Sequence, residues 1–391
     1  MPALEEPTSA DGPTERAPQA LGSACPLWKW LLVFKLAYPA FVLAVLFLRP
    51  DMDVAEFQNV MQRWPREGGP TFGSHLATWD APHFLFLSEV GYVPGATSCA
   101  FYPLWPFLIR AGSWLTGGNH FVAGLILANL LSFIGILLFH RLVRLRFDKP
   151  LADWSVVFFL AAPGTLFLQF IYSEPLFFLL LMAFCLALQQ ERYDWVCAAG
   201  FFLPLTHAVG IFCVVPLLWH LVKRQRTGRD YLSLAGPVAG YASYFLVMAL
   251  LTGNALEGFD AQKYWNVNSF WHLFDPLGFM QALFTPVYVH WYTASLLDRA
   301  VFIGLVTLLP AVWRLDKEWF LWTVMLGVLP AMISHFVSFT RYVQMAFPAF
   351  VAMAFLLKDP RLRVWRWLVL GVFTSLHIIL LVRHINFRWA G

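Results

Sequence analysis

Charge is what this sequence has least of. Only 13% of its 391 residues are Asp, Glu, Lys or Arg, about half the ~25% of an average soluble protein. With 59% apolar residues, it has too little polar surface to cover a water-facing globule of this size, which excludes a soluble domain. Cysteine is sparse as well. Five are scattered along the chain without a CxxC pair, which excludes a disulfide framework and a zinc ribbon. No P-loop, GxGxxG or HExxH occurs, so no nucleotide cradle or zinc-protease helix is encoded. No internal repeat of the transporter kind is evident, and nothing points to nucleic acid as a partner. Residues 1–25 are rich in Pro, Glu, Ala and Thr and lack a basic start followed by an apolar core. They are expected to be a disordered cytoplasmic tail rather than a cleaved signal. Residues 26–391 then form a single transmembrane domain.

What is present is a series of apolar runs long enough to cross a bilayer. They cover residues 27–48, 120–141, 154–172, 175–190, 231–251, 298–313, 319–336, 341–357 and 365–382. Another stretch, 195–221, is interrupted by "LPLTHAVG" and reads as a pair of short helices or a re-entrant hairpin. The fold class is therefore all-α and polytopic, with about nine to eleven membrane segments. Three basic loops give the orientation. They hold Arg141, Arg144, Arg146 and Lys149; Lys223, Arg224, Arg226 and Arg229; and Lys358, Arg361, Arg363 and Arg366. With a cytoplasmic N-terminus all three fall inside. The outer face then receives the loop 50–119, "YSEP" at 172–175, the loop 252–297 and "SFTRY" at 338–342. The proline-rich tract "FYPLWPFLI" at 101–109 is expected to lie along the outer surface or dip into it.

The residues suited to chemistry gather on that outer face. The stretch "HLATWDAPHFLFLSEVGY" at 75–92 places Asp80 where it can be a general base or, equally, a helix N-cap before Ala81-Pro82. His83 shares its helix face and reads as a substrate hydrogen bond or an orienting contact to Asp80. A D-x-x-H pair supplies two metal ligands at most, so no cofactor is expected, a divalent cation being the open alternative. Glu89 is a solvated carboxylate or a substrate ligand. Glu174 caps a helix at its positive end or binds sugar hydroxyls. Arg341 snorkels to water or anchors a phosphate through its fork of donors. His207 is a hydrogen-bonded buried histidine or a site residue.

"WDAPHFLFLSEVGY" followed by "AFYPLWPFLIR" resembles the signature of the GPI mannosyltransferase 2 family, the PIG-V type. "YSEP" and "SFTRYVQMAFPAF" continue the resemblance. It implies a C-type glycosyltransferase fold with its active site in non-cytoplasmic loops, and a polyprenyl or dolichyl phosphate-linked mannose as donor. It implies Asp80 as the catalytic residue and matches Tyr172, Ser173, Glu174 and Arg341 to family positions; Trp79, His83, Glu89, Tyr102, Tyr172, Glu174, His207, Arg341 and Tyr342 are expected to bind substrate. The sequence departs from the family pattern at Thr206-His207, where the family often has Thr-Arg, and at Thr97-Ser98-Cys99, which lacks an acidic or amide residue. The short chain suits a prokaryotic homologue in a bacterial or archaeal plasma membrane, acting on a lipid or glycan acceptor. The competing readings are a lipid-linked sugar flippase or transporter, and a C-type transferase for another sugar such as arabinose or glucose.

Overall fold

Proline decides where two of the apolar runs stop being helices. In "AAPG" and "MAFP" a proline within an apolar run removes a backbone N–H and crowds the preceding turn. The computed structural model, which describes residues 26–48, 57, 64, 71–265 and 270–391, breaks at both places. The tail expected over residues 1–25 lies outside the described residues, as does most of the outer loop between residues 49 and 70.

In chain order the main helices are α1 (Leu27–Leu48), α2 (Ala81–Glu89), α3 (Leu104–Ser113), α4 (His120–Arg144) and α5 (Lys149–Ala161). Next come α6 (Glu174–Gln189), α7 (Tyr193–Thr206), α8 (Val214–Lys223), α9 (Ala235–Thr252), α10 (Glu257–Gln262) and α11 (Pro276–Phe284). The last are α12 (Leu296–Leu315), α13 (Lys317–Thr323), α14 (Leu329–Ser334), α15 (Phe339–Tyr342), α16 (Pro348–Leu356) and α17 (Arg363–Ile385). Local chemistry sets many starts. Asn119, Asp148, Ser295 and Asp316 each accept a backbone N–H from the first turn of α4, α5, α12 and α13, satisfying a donor that the helix leaves open.

Among the described residues, five helices are long and apolar enough to cross a membrane, and up to seven spans result if each bent pair counts as one. Two shorter apolar helices, Glu174–Gln189 and Ala208–Lys223, account for further expected segments. The interrupted stretch 195–221 is indeed a pair of short helices, α7 and α8, joined by a 3-10 turn over Ala208–Cys213. Two expectations need correction. The runs 154–172 and 341–357 are not straight. Ala162, extended at ψ 141° before Pro163, turns α5 by 83° into a 3-10 segment, Pro163–Gln169. The second run turns by 83° between Phe339–Met345 and α16. The proline-rich tract 101–109 enters a helix with one buried and one exposed face. Pro103 precedes the first turn of α3, and Trp105 and Ile109 are buried because the helix has one apolar face.

The three basic loops lie at one end: Arg366 stacks on Trp154 in α5, and His220 near the end of α8 meets Glu318, two residues after Asp316. Arg146 pairs with Asp316, and Arg226 and Arg224 both pair with Glu191. Helix direction then puts Asp80, Glu174, His207 and Arg341 at the opposite end. There the two bends face each other. A Cβ on Gly164 would fall on the carbonyl oxygen of Thr340, so only glycine lets the segment Pro163–Gln169 lie directly on α15.

A broken helix leaves carbonyls without partners, and inside a bilayer each one is costly. A polar knot satisfies those at this break. Lys35, buried in the middle of α1, donates from Nζ to Ser132 Oγ and Gln169 Oε1, both at 2.7 Å. Ser132 Oγ donates to the Leu168 carbonyl at 2.9 Å, and Asn129 Nδ2 to the Gln169 carbonyl at 3.1 Å. The knot thus fixes the chain just ahead of Tyr172 and Glu174. Lys35→Met is expected to cost about 1–3 kcal/mol through the acceptors it strands. Leu36→Met, on the exposed face of α1, is expected to stay within about 0.5 kcal/mol of the parent. Thermal midpoints of both variants in detergent check this, and equal midpoints would contradict it.

Candidate active site

Asp80 occupies the position of a helix N-cap without acting as one. Its carbonyl accepts from His83 and Phe84 N–H, and Pro82 sits in the first turn of α2, but its carboxylate makes no capping bond. Oδ2 instead accepts from Arg341 Nη1, and the side chain keeps 18% of its exposure. Oδ1 has no hydrogen-bond partner among the described residues. The preceding Trp79 is left-handed at φ 60°, a conformation that costs a bulky residue about 1–3 kcal/mol and that turns Asp80 inward.

Glu174 opens α6, where a carboxylate at the positive helix end is favourable. It does more than that. It is buried, Oε1 accepts from Arg341 Nε, and Oε2 has no partner among the described residues. Arg341 therefore lies between two carboxylates. It is buried too, so of the two readings the interfacial snorkel does not occur. Its guanidinium stacks on Tyr172 at 4.5 Å, Tyr342 at 5.1 Å and Phe167 at 5.3 Å, contacts that favour a cation over aromatic faces. Nη2 donates to no residue among those described.

The segment that delivers Arg341 is itself constrained. Leading into α15, His335, Phe336 and Ser338 are left-handed at φ 48°, 72° and 56°, after a π turn over Val324–Val328. Asp298, from the first turn of α12, accepts the Thr340 N–H at 2.6 Å and so holds the turn next to Arg341. Breaking a buried pair by removing one partner is far costlier than never having built it. That asymmetry explains why so much backbone is arranged around one side chain.

The other expected site residues divide into two groups. Tyr342, His207, Tyr102 and Tyr244 form a run of rings leading away from Arg341, with centroids 5.3, 6.3 and 4.5 Å apart in sequence. Trp79 and Tyr172 flank the ion pairs, and the Tyr172 hydroxyl donates to the Thr78 carbonyl at 3.0 Å. His83 and Glu89 point elsewhere. The His83 ring packs between Phe101 and Trp265 and shares a hydrogen bond with Ser98 Oγ at 2.8 Å. Glu89 accepts from the Trp64 indole at 3.0 Å.

Four residues that the sequence reading passed over belong here. Asp298 and Thr78 support Arg341 and Tyr172. Tyr292 is close enough to Asp80 that, after burial, the carboxylate's charge is the next cause pushing its phenol pKa up. His384 packs against Tyr172, Phe170 and Phe167. An ionisable residue just past the outer end of the last apolar run was the available signal for His384. Among the described residues, no group of three His, Cys, Asp or Glu side chains is placed to hold a metal ion.

Comparisons with known proteins agree with the fold. The crystal structure of ArnT from Cupriavidus metallidurans bound to undecaprenyl phosphate superposes with a TM-score of 0.52 at 16% identity. The match covers 89% of this chain and 64% of that one, so the chain spans just under two thirds of that relative's length. The archaeal oligosaccharyltransferase AglB from Archaeoglobus fulgidus, in complex with an inhibitory peptide and a dolichol-phosphate, gives 0.49 at 12% identity, over 93% of this chain and 56% of that one. No curated protein sequence matches significantly. The family model described as Mannosyltransferase (PIG-V) matches residues 58–266, more than half of the chain and the part that carries Asp80, Glu174 and His207. Together with the C-type membrane glycosyltransferase fold, this match shows that the chain belongs to the PIG-V mannosyltransferase family.

Proposed function

We propose that the protein transfers mannose from a polyprenyl- or dolichyl-phosphate donor to a hydroxyl of a lipid or glycan acceptor. The transfer takes place on the non-cytoplasmic face of the membrane, by a single inverting displacement. The acceptor oxygen attacks the anomeric carbon, and the bond from that carbon to the phosphate oxygen breaks. The lipid phosphate leaves with the bonding pair, and the acceptor proton goes to Asp80. The observation that carries this reading is the asymmetry of Asp80. One carboxylate oxygen is pinned by Arg341 and the other has no partner among the described residues. A fixed base with one open oxygen is what proton abstraction needs.

Arg341 supplies the positive charge for the leaving phosphate through Nη2, while Nε and Nη1 hold the two carboxylates. Positive charge aimed at a developing anion lowers the barrier more in a buried site than in water. Glu174 Oε2, without a partner among the described residues, accepts a hydrogen bond from a hydroxyl of the donor sugar. Tyr102, His207 and Tyr342 line the way to the site, and His83 and Glu89 brace the first outer loop. A phosphate ester is already a good leaving group, so no second acid and no covalent intermediate are required. The undecaprenyl phosphate bound to the ArnT structure of the same fold supports a lipid phosphate as leaving group. A bacterial or archaeal plasma membrane is the setting this reading favours.

Asp80→Asn keeps the size of the side chain but cannot take the proton. Turnover should fall by about 10²–10⁴-fold with donor binding retained, measured by single-turnover transfer from polyprenyl-phosphate mannose. A folded variant with more than about a tenth of parental transfer would remove Asp80 as the base. The face is tested separately by cysteine labelling, with Cys25 and Cys197 replaced by Ser. An impermeant maleimide should label Lys263→Cys in sealed cells and label Arg224→Cys only after permeabilisation. Both positions are well exposed. The reverse pattern would place the site on the cytoplasmic side.

A further inference from the structure

The segment that presents Asp80 is tied to a part of the chain about 300 residues away. His75 Nδ1 donates to the Ile385 carbonyl at 2.5 Å. The Thr78 hydroxyl lies 3.1 Å from the His384 ring nitrogens. Trp79 Nε1 donates to the Arg388 carbonyl at 3.1 Å. The rings of Trp79 and Trp389 meet edge to face at 4.9 Å, and Trp389 meets Tyr292 in the same way at 4.8 Å. The turn after α17 is built for this contact. Phe387 is left-handed at φ 61°, Arg383 Nε closes the turn on the Trp389 carbonyl at 2.7 Å, and the Phe387 ring packs against His75. Of residues 384–389 only Arg388 is exposed. A turn beyond the last membrane helix has no reason to be buried unless it packs on something, and here it packs on residues 75–79.

We infer that residues 384–389 act as a positioning clamp for Asp80, a role that rests on the reading of Asp80 as the base. The left-handed Trp79 is the reason a clamp is needed. A bulky residue holds that conformation only where its surroundings over-determine it, and the clamp grips Trp79 by its indole N–H and its ring, and Thr78 by its hydroxyl. With the grip released, Trp79 relaxes toward ordinary φ, the peptide between residues 79 and 80 rotates, and the carboxylate swings away from Arg341 Nη1. His384 also packs on Tyr172 and Phe167, the rings against which Arg341 lies, so the clamp braces both sides of the ion pair. None of the clamp residues meets the reacting atoms. Their effect passes through Asp80.

A double-mutant cycle in the full chain tests this. Trp389→Ala should lower the single-turnover rate of mannosyl transfer by about 10–100-fold, as a displacement of about 1 Å at the reacting group does, with the KM for polyprenyl-phosphate mannose little changed. Added to Asp80→Asn, the same substitution should cause almost no further loss, because the group it positions is already gone. Trp79→Phe, which removes the indole donor but keeps an aromatic ring, should show a smaller drop, and His384→Gln should retain more activity than His384→Ala. These milder variants carry the test if Trp389→Ala does not fold. A parental rate in Trp389→Ala, or a loss that multiplies fully with that of Asp80→Asn, would overturn the clamp. The Asp80→Asn single variant keeps the two claims apart. If it alone is inactive while the clamp variants are normal, only the clamp fails. If it is active, the assignment of the base fails.

Discussion

One guanidinium shared by two carboxylates is the interaction on which the rest of this structure depends. Arg341 donates to Asp80 and to Glu174, which arrive from the loop before α2 and from the start of α6, with the arginine itself on a third segment. Three parts of the chain far apart in sequence thus converge on one charge. Ionisable groups at this depth are costly, and the pairing holds only if every backbone path to it is fixed. The devices that fix them are the left-handed residues before Asp80 and Arg341, the Asp298 acceptor on Thr340 and the Lys35 knot ahead of Glu174. They belong to one problem, the placement of three charged side chains within hydrogen-bond reach of one another.

Prolines solve the geometric part of it. Two spans that ran straight across the membrane would carry Glu174 and Arg341 past each other. Bending each by 83° lays one against the other, with Gly164 giving the clearance. The bends expose carbonyls in an apolar interior, and Lys35, Ser132 and Asn129 satisfy those of the first. A lysine in the middle of the first membrane helix reads as a mistake until the break it faces is known.

Much of this was legible in the sequence. The apolar runs and basic loops follow from bilayer thickness and charge placement, and 27–48 coincides with α1. The residues Asp80, Glu174 and Arg341 stand out because charge is rare in this chain. What pairs with what was not legible. Local pattern offered a cap for Asp80, a helix dipole for Glu174 and a snorkel for Arg341, each plausible from its own neighbours, and only tertiary structure shows that the three meet. The bends were hidden for a similar reason. Hydropathy sees apolar residues on both sides of Pro163 and Pro348 and reads through the turn. His384 and Trp389 lie past the last apolar run, where sequence pattern has least to say, yet they touch the segment that carries Asp80.

The arrangement also bears on stereochemistry. Two carboxylates that share one guanidinium lie close enough to invite comparison with a double displacement, in which one of them attacks the sugar. Glu174 would have to be that nucleophile. Arg341 holds one oxygen of each carboxylate, but Glu174 is buried whereas Asp80 keeps 18% of its side-chain exposure. The account therefore has Asp80 deprotonate the acceptor for direct attack, with Glu174 and Arg341 as fixed partners. The anomeric configuration of the product, determined by NMR after transfer from polyprenyl-phosphate mannose of known configuration, tests this most directly. Inversion relative to the donor is the result predicted, and net retention would contradict the single displacement.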